Sequence, residues 1–182
     1  MSGPAGAAYV RAVEPTISRG VDVAAAPELV WSLVSDLPRM GEFSPENVGG
    51  LWVGGATGPA VGARFRGTNR NGRRQWTTKV TVVECEPGRL LTFDVRTRFG
   101  VRVSRWSYRV EPAGAGCRLS EHWYRVGSWF VRRFLGPKVT GRADRPGFNV
   151  VSIERTLAAV KERAEGISLG CSSDDSSEPV TP

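Results

Sequence analysis

The chain reads as an α+β domain, a curved antiparallel sheet covered by one long C-terminal helix. Three observations predict it. Runs that alternate apolar and polar residues recur at near-regular spacing between Ala63 and Val126, separated by turn signals. A single clear helical period follows in Val150, Ile153, Leu157, Val160 and Ala164. A sheet with one apolar face needs a cover, and only that helix is long and amphipathic enough to supply it.

The elements follow in order. Residues 1–15 read as a flexible leader, with no basic segment ahead of an apolar stretch and therefore no secretory signal. Ile17 to Val23 is a strand. Ala26-Pro27-Glu28 opens a helix, because proline lacks only an N–H that the first turn does not use, and Glu28 suits the helix dipole. Val30, Trp31, Val34 and Leu37 give it one apolar face, and Pro38 ends it. A turn-like segment to Glu46 and a glycine-rich stretch, Gly49 to Gly62, carry a short strand around Leu51–Val53. Ala63 to Asn69 and Arg74 to Glu84 form a hairpin about Asn71-Gly72, where both residues tolerate positive φ. Pro87-Gly88, Phe99-Gly100 and Pro112 to Gly116 turn the strands Leu90–Arg98, Val101–Val110 and Cys117–Val126. Residues 127–143 are irregular yet carry large apolar side chains, and are expected to act as a lid. Asp144 caps the final helix, which Gly166 stops near Glu165. The domain therefore spans 16–166, and residues 167–182 form an acidic, serine-rich disordered tail.

Alternation sorts the strand faces. The inner face collects Phe65, Asn69, Trp76, Thr78, Phe93, Trp106, Tyr108, Glu121 and Trp123. Val101 and Val103 are out of phase with Trp106 and Tyr108, which calls for a bulge near Ser104. Six tryptophans are more than one small core needs, and large rings on a concave face suit a cavity for an apolar ligand. Trp31 belongs to the first helix, Trp52 has no settled facing, and Trp129 falls in the expected lid. Glu121 is the unusual member. A carboxylate on an apolar face must be hydrogen-bonded, paired or protonated. Tyr108, Asn69 or Thr78 are its candidate partners, and an arginine at a strand end is the structural alternative. A raised pKa would make Glu121, with Tyr108, an acid/base pair.

Composition narrows the function classes. The charge is +7, carried by 22 Arg and 3 Lys spread along the chain without a basic helix or a nucleic-acid motif. No nucleic acid is expected. No apolar run approaches the roughly 20 residues of a transmembrane helix. Cys85, Cys117 and Cys171 are odd in number and far apart, which points to a reducing, cytoplasmic setting. His122 is the one histidine and falls on the outer face. Neither a metal nor a cofactor is expected, because no ligand cluster exists and Gly54-Gly55-Ala56-Thr57-Gly58 lacks the rest of a phosphate loop.

Several segments together resemble the START/Bet v 1-like (SRPBCC) superfamily, specifically its bacterial polyketide cyclase/dehydrase and lipid-transport group. They are Val23-Ala24-Ala25-Ala26-Pro27-Glu28-Leu29-Val30-Trp31, Val34-Ser35-Asp36, Gly58-Pro59-Ala60-Val61-Gly62-Ala63-Arg64-Phe65-Arg66-Gly67, Glu86-Pro87-Gly88-Arg89 and Cys117-Arg118-Leu119-Ser120-Glu121. The resemblance covers about residues 17–165. It implies a helix-grip fold, seven antiparallel strands wrapped around the C-terminal helix with a cavity between. Ile153 and Leu157 are then expected to complete the ligand-binding wall. The leading expectation is a carrier of a hydrophobic small molecule, such as a lipid, sterol or polyketide, working as a monomer or homodimer. The alternatives are a polyketide cyclase or dehydratase using Glu121 and Tyr108, and a protein-interaction module acting through an arginine-rich outer face.

Overall fold

Each alternating run closes onto its neighbour through a short turn, so sequence order becomes sheet order. The computed structural model describes residues 14–126 and 136–173. Seven strands form one antiparallel sheet: β1 Ile17–Val23, β2 Asn47–Val53, β3 Arg64–Asn71, β4 Arg74–Glu86, β5 Leu90–Thr97, β6 Arg102–Ala113 and β7 Gly116–Arg125. Their order is β1-β7-β6-β5-β4-β3-β2. Helix α1, Pro27–Ser35, and a 3-10 turn, Leu37–Glu42, carry the chain from one sheet edge to the other. Val30 and Val34 of α1 are fully buried, with Leu37 and Met40 behind them. A short helix α2, Gly136–Thr140, precedes the long helix α3, Arg145–Ser173. Helix α3 packs on β1, β7 and α1. The fold is thus the helix grip, a seven-stranded α+β architecture.

Two expectations about element ends are corrected. Helix α3 does not stop at Gly166 but runs to Ser173. Each glycine inside a helix costs about 1 kcal/mol relative to alanine, and the established helix tolerates both Gly166 and Gly170. Strand β2 begins at Asn47 rather than near Leu51. Its glycines obscured the pattern, and Gly50 is required there: a Cβ on it would lie 2.2 Å from the Arg66 carbonyl oxygen and 2.6 Å from the Phe65 ring. That close approach lets Phe65 lie under β2 on the inner face.

The phase break in β6 is a bulge. Val95 pairs with Ser104 and Arg96 with Arg102, which leaves Val103 as the extra residue. Asp144 caps α3 as expected, its Oδ1 accepting from the Gly147 N–H at 2.9 Å. The convex face is covered largely by arginine. Arg105 and Arg102 reach the buried Asp94 at 2.8 and 3.3 Å, and Thr92 and Ser107 share a buried hydrogen bond of 3.0 Å.

Candidate functional site

The concave face does not close on itself. Between the sheet, the 3-10 turn and α3 lies a cavity of about 690 Å³. Alternation delivers one face of each strand to its wall: Phe65 and Asn69 from β3, Trp76 and Thr78 from β4, Phe93 from β5, Trp106 and Tyr108 from β6, Glu121 and Trp123 from β7. The bulge at Val103 turns both Val103 and Ser104 toward the same space, where alternation would have separated them. Ser104 then accepts from the Trp106 indole N–H at 3.2 Å. Trp106 and Trp123, direct cross-strand partners, sit 6.4 Å apart with a tilted ring geometry.

Glu121 is 2 % exposed and faces Tyr108 across the β6–β7 ladder. The Tyr108 hydroxyl donates to Glu121 Oε1 at 3.0 Å. Asn69 and Thr78, the other candidate partners, bond each other instead, at 3.3 Å. Burial drives the Glu121 carboxyl up from the ordinary 4.5 to about 8, against the opposing pull of the Tyr108 hydrogen bond. Burial, then the Glu121 charge, raises the Tyr108 hydroxyl well above its usual value. Near neutral pH Glu121 is therefore a neutral acid. Its Oε1 is occupied as an acceptor, so the proton belongs on Oε2, which has no partner among the described residues.

Helix α3 contributes a polar wall that the sequence reading missed. Asn149, Ser152 and Thr156 line the cavity. Ile153 and Leu157 do not, which corrects that expectation: they are 0 % and 3 % exposed and join Val160 and Ala164 in the core. The two stripes lie side by side on one buried arc of the helix, and the polar one turns toward the open space. Asn149 is only 1 % exposed, yet neither of its amide atoms has a partner among the described residues. The apolar period marks its neighbours Ile153 and Leu157, and a lone asparagine beside them gives no periodic signal.

The wall residues that reach solvent include Gln75, Thr77, Arg98, Phe99, Arg125 and Val139, so the opening lies where β3, β5 and β7 end. There the buried Glu46 receives two hydrogen bonds from Arg145, at 2.7 and 2.5 Å. Arg142 lies over the Phe148 ring at 3.5 Å and donates to Asn71 at 3.0 Å. Of the expected lid, 136–143 supplies Val139, Thr140, Arg142 and Ala143 to the wall; Trp129 and the rest of 127–135 lie outside the described residues. Trp31 packs against the core from α1, and Trp52 packs edge-on to Phe65 at 5.4 Å. His122 is on the outer face, half-buried, with burial and then Arg109 lowering its pKa.

Residues 14–165 match the model of the family described as polyketide cyclase / dehydrase and lipid transport. The chain belongs to that family. A solution structure of a polyketide-cyclase-like protein from Corynebacterium glutamicum aligns at 27% identity and TM-score 0.57, over 90% of this chain and 96% of its own. A START superfamily protein from Mycobacterium smegmatis shares the fold at 16% identity and TM-score 0.59, over 83% and 97% of the two chains. The di-domain ARO/CYC protein StfQ of the steffimycin biosynthetic pathway does so at 15% identity and TM-score 0.64. It is aligned over 84% of this chain, which spans only 51% of StfQ. No curated protein matches the chain. Among the described residues of this polyketide cyclase / dehydrase and lipid transport family member, no helix is long and apolar enough to cross a membrane.

Proposed function

We propose that this protein binds a hydrophobic small molecule in the cavity and reads one polar oxygen on it. The observation that carries this reading is the wall itself: aromatic rings around a neutral, buried Glu121 and an unpartnered Asn149. Apolar rings supply affinity, and a few convergent polar groups fix orientation. Unpaired buried polar atoms are costly without a partner, so a ligand carbonyl or hydroxyl that satisfies them is favoured over a pure hydrocarbon. A carbonyl accepts from Glu121 Oε2–H, and the Asn149 amide offers both a donor and an acceptor. Lipids, sterols and polyketides with a ketone or hydroxyl fit this description.

A second reading rests on the same acid. A carboxyl that titrates near 8, hydrogen-bonded to Tyr108, suits proton transfer to a polyketone folded in the cavity. It makes Glu121 the proton donor and Tyr108 the group that orients it.

Tryptophan fluorescence titrated with a neutral aromatic ketone such as acetonaphthone tests the binding reading. Saturable quenching is expected at pH 7, with affinity falling as pH rises through about 8, where Glu121 loses its proton. Glu121→Gln keeps a donor and removes that pH dependence. Trp106→Ala weakens binding by roughly 1–3 kcal/mol. Absence of saturable binding, or a Trp106→Ala variant with unchanged affinity, would overturn the reading.

A further inference from the structure

The charges of this chain are sorted along the strand axis. At the end where the cavity opens stand Arg73 in the β3–β4 turn, Arg98 after β5, Arg125 at the end of β7 and Lys138 in α2. The acids there are mostly engaged. Glu46 is buried against Arg145, Asp94 is buried against Arg102 and Arg105, and Asp144 caps α3. At the far end of the sheet lie Asp22, Glu28, Glu84, Glu86, Glu111 and Glu165, interleaved with Arg89, Arg109, Arg118 and Lys161. Codon bias can raise arginine everywhere. It does not sort charge by end.

The basic end also carries apolar side chains that nothing in the described protein covers. Phe99 is 77 % exposed at the tip of the β5–β6 hairpin, with Val101 42 % and Val139 44 % exposed near it. This tip is firmly built. The Gly100 N–H bonds the Thr97 carbonyl at 2.9 Å, the Val101 N–H bonds the Thr97 hydroxyl at 3.2 Å, and Arg96 reaches the Gly100 carbonyl at 3.1 Å. Arg98 lies 4.6 Å from the centre of the Phe99 ring. Arg98 and Phe99 are at once rim of the opening and wall of the cavity.

We propose that this rim docks on an anionic lipid surface, with Phe99 entering the interface and the arginines pairing with lipid phosphates. A basic ring around a protruding aromatic fits a negatively charged surface with an apolar layer beneath it. Nucleic acid matches the charge but offers no layer for Val101 and Val139, and a soluble acidic protein has no need of a projecting phenylalanine. Docked this way, the opening faces the bilayer, so an apolar ligand passes between lipid and cavity without crossing water. The proposal goes beyond the cavity reading: ketone binding is measured without vesicles, so either can fail alone.

Co-sedimentation of the full chain with vesicles tests it. Binding to vesicles of phosphatidylcholine with phosphatidylglycerol is expected, weakening with added salt, with little binding to phosphatidylcholine alone. Arg73→Ala and Arg98→Ala each weaken it about fivefold, and Phe99→Ser roughly tenfold. The pair Arg89→Ala and Arg118→Ala at the far end leaves it unchanged. The proposal is overturned by equal binding to both vesicle types, by no binding, or by an equal loss from the far-end pair. Charge-dependent binding indifferent to Phe99→Ser overturns it as well, because the contact is then electrostatic alone and no side chain enters the apolar layer.

Discussion

Glu121 faces the cavity with its strand neighbours because alternation is a strict rule on a strand. A carboxylate two residues before Trp123 and two after Leu119 can only face inward with them. The partner among several candidates was not legible, since Tyr108 meets it through register rather than through spacing. Its raised pKa has a consequence for stability. The folded state holds the proton up to about pH 8, while the unfolded chain releases it near the ordinary 4.5. Between those values the folded form binds more protons, so the contribution of Glu121 to stability is full below pH 4.5 and is lost as pH rises through 8. Glu121→Gln mimics the neutral acid and keeps an acceptor for Tyr108. The melting temperature of the variant minus that of the natural protein should therefore increase from pH 5 to pH 8; a flat difference would place the carboxyl in an ordinary environment. Asn149 offers the complementary test. Asn149→Leu removes two unpartnered polar atoms from a buried site, and should stabilise the ligand-free protein by about 1–3 kcal/mol while weakening ketone binding. Thermal melts and the fluorescence titration check both halves, and a variant less stable than the natural protein would mean the amide has a partner after all.

At the scale of elements, patterning located most of the fold and missed where it is interrupted for reasons outside the pattern. The bulge of β6 was readable because it shifts the alternation, and shifted alternation is visible in Val101, Val103 and Trp106. The early start of β2 was not, because Gly49 and Gly50 carry no side chain to alternate and are set there by close approach, Gly49 to the Pro38 carbonyl and Gly50 to Phe65 and Arg66. The continuation of α3 past Gly166 was not, because a helix already held by its buried face absorbs unfavourable residues such as Gly166 and Gly170. The rotation of α3 about its axis was not either. A helical period reports the width of a buried stripe, and it cannot say which part of that stripe meets core and which meets a cavity. The start of α3 is a different matter, since a capping residue is a local signal. Asp144→Ala should cost about 1 kcal/mol in chemical denaturation, the usual loss for an N-cap. No loss would show that Asp144 does not hold the helix end that brings Arg145 and Asn149 to the opening and the wall.

For the whole molecule, the arrangement is a sheet that is wider than its helix. Helix α3 seals the side of β1 and β7, and the space left against β3 to β6 is the cavity. The order of elements predicted the sheet and its cover. It did not contain the volume, which depends on how far strand curvature outruns the side chains that fill it, nor the sorting of charge, which needs strand direction and topology together. On those two whole-molecule properties rest the proposals of a bound ligand and of a lipid-facing rim. The most direct test is native mass spectrometry of the protein after incubation with a lipid extract of its own host. The expected spectrum shows a non-covalent adduct of one small apolar species, retained on dilution by the natural protein and lost from Asn149→Leu and Trp106→Ala. A natural protein that emerges with no adduct, or variants that retain the adduct unchanged, would contradict a ligand held by these rings and this amide.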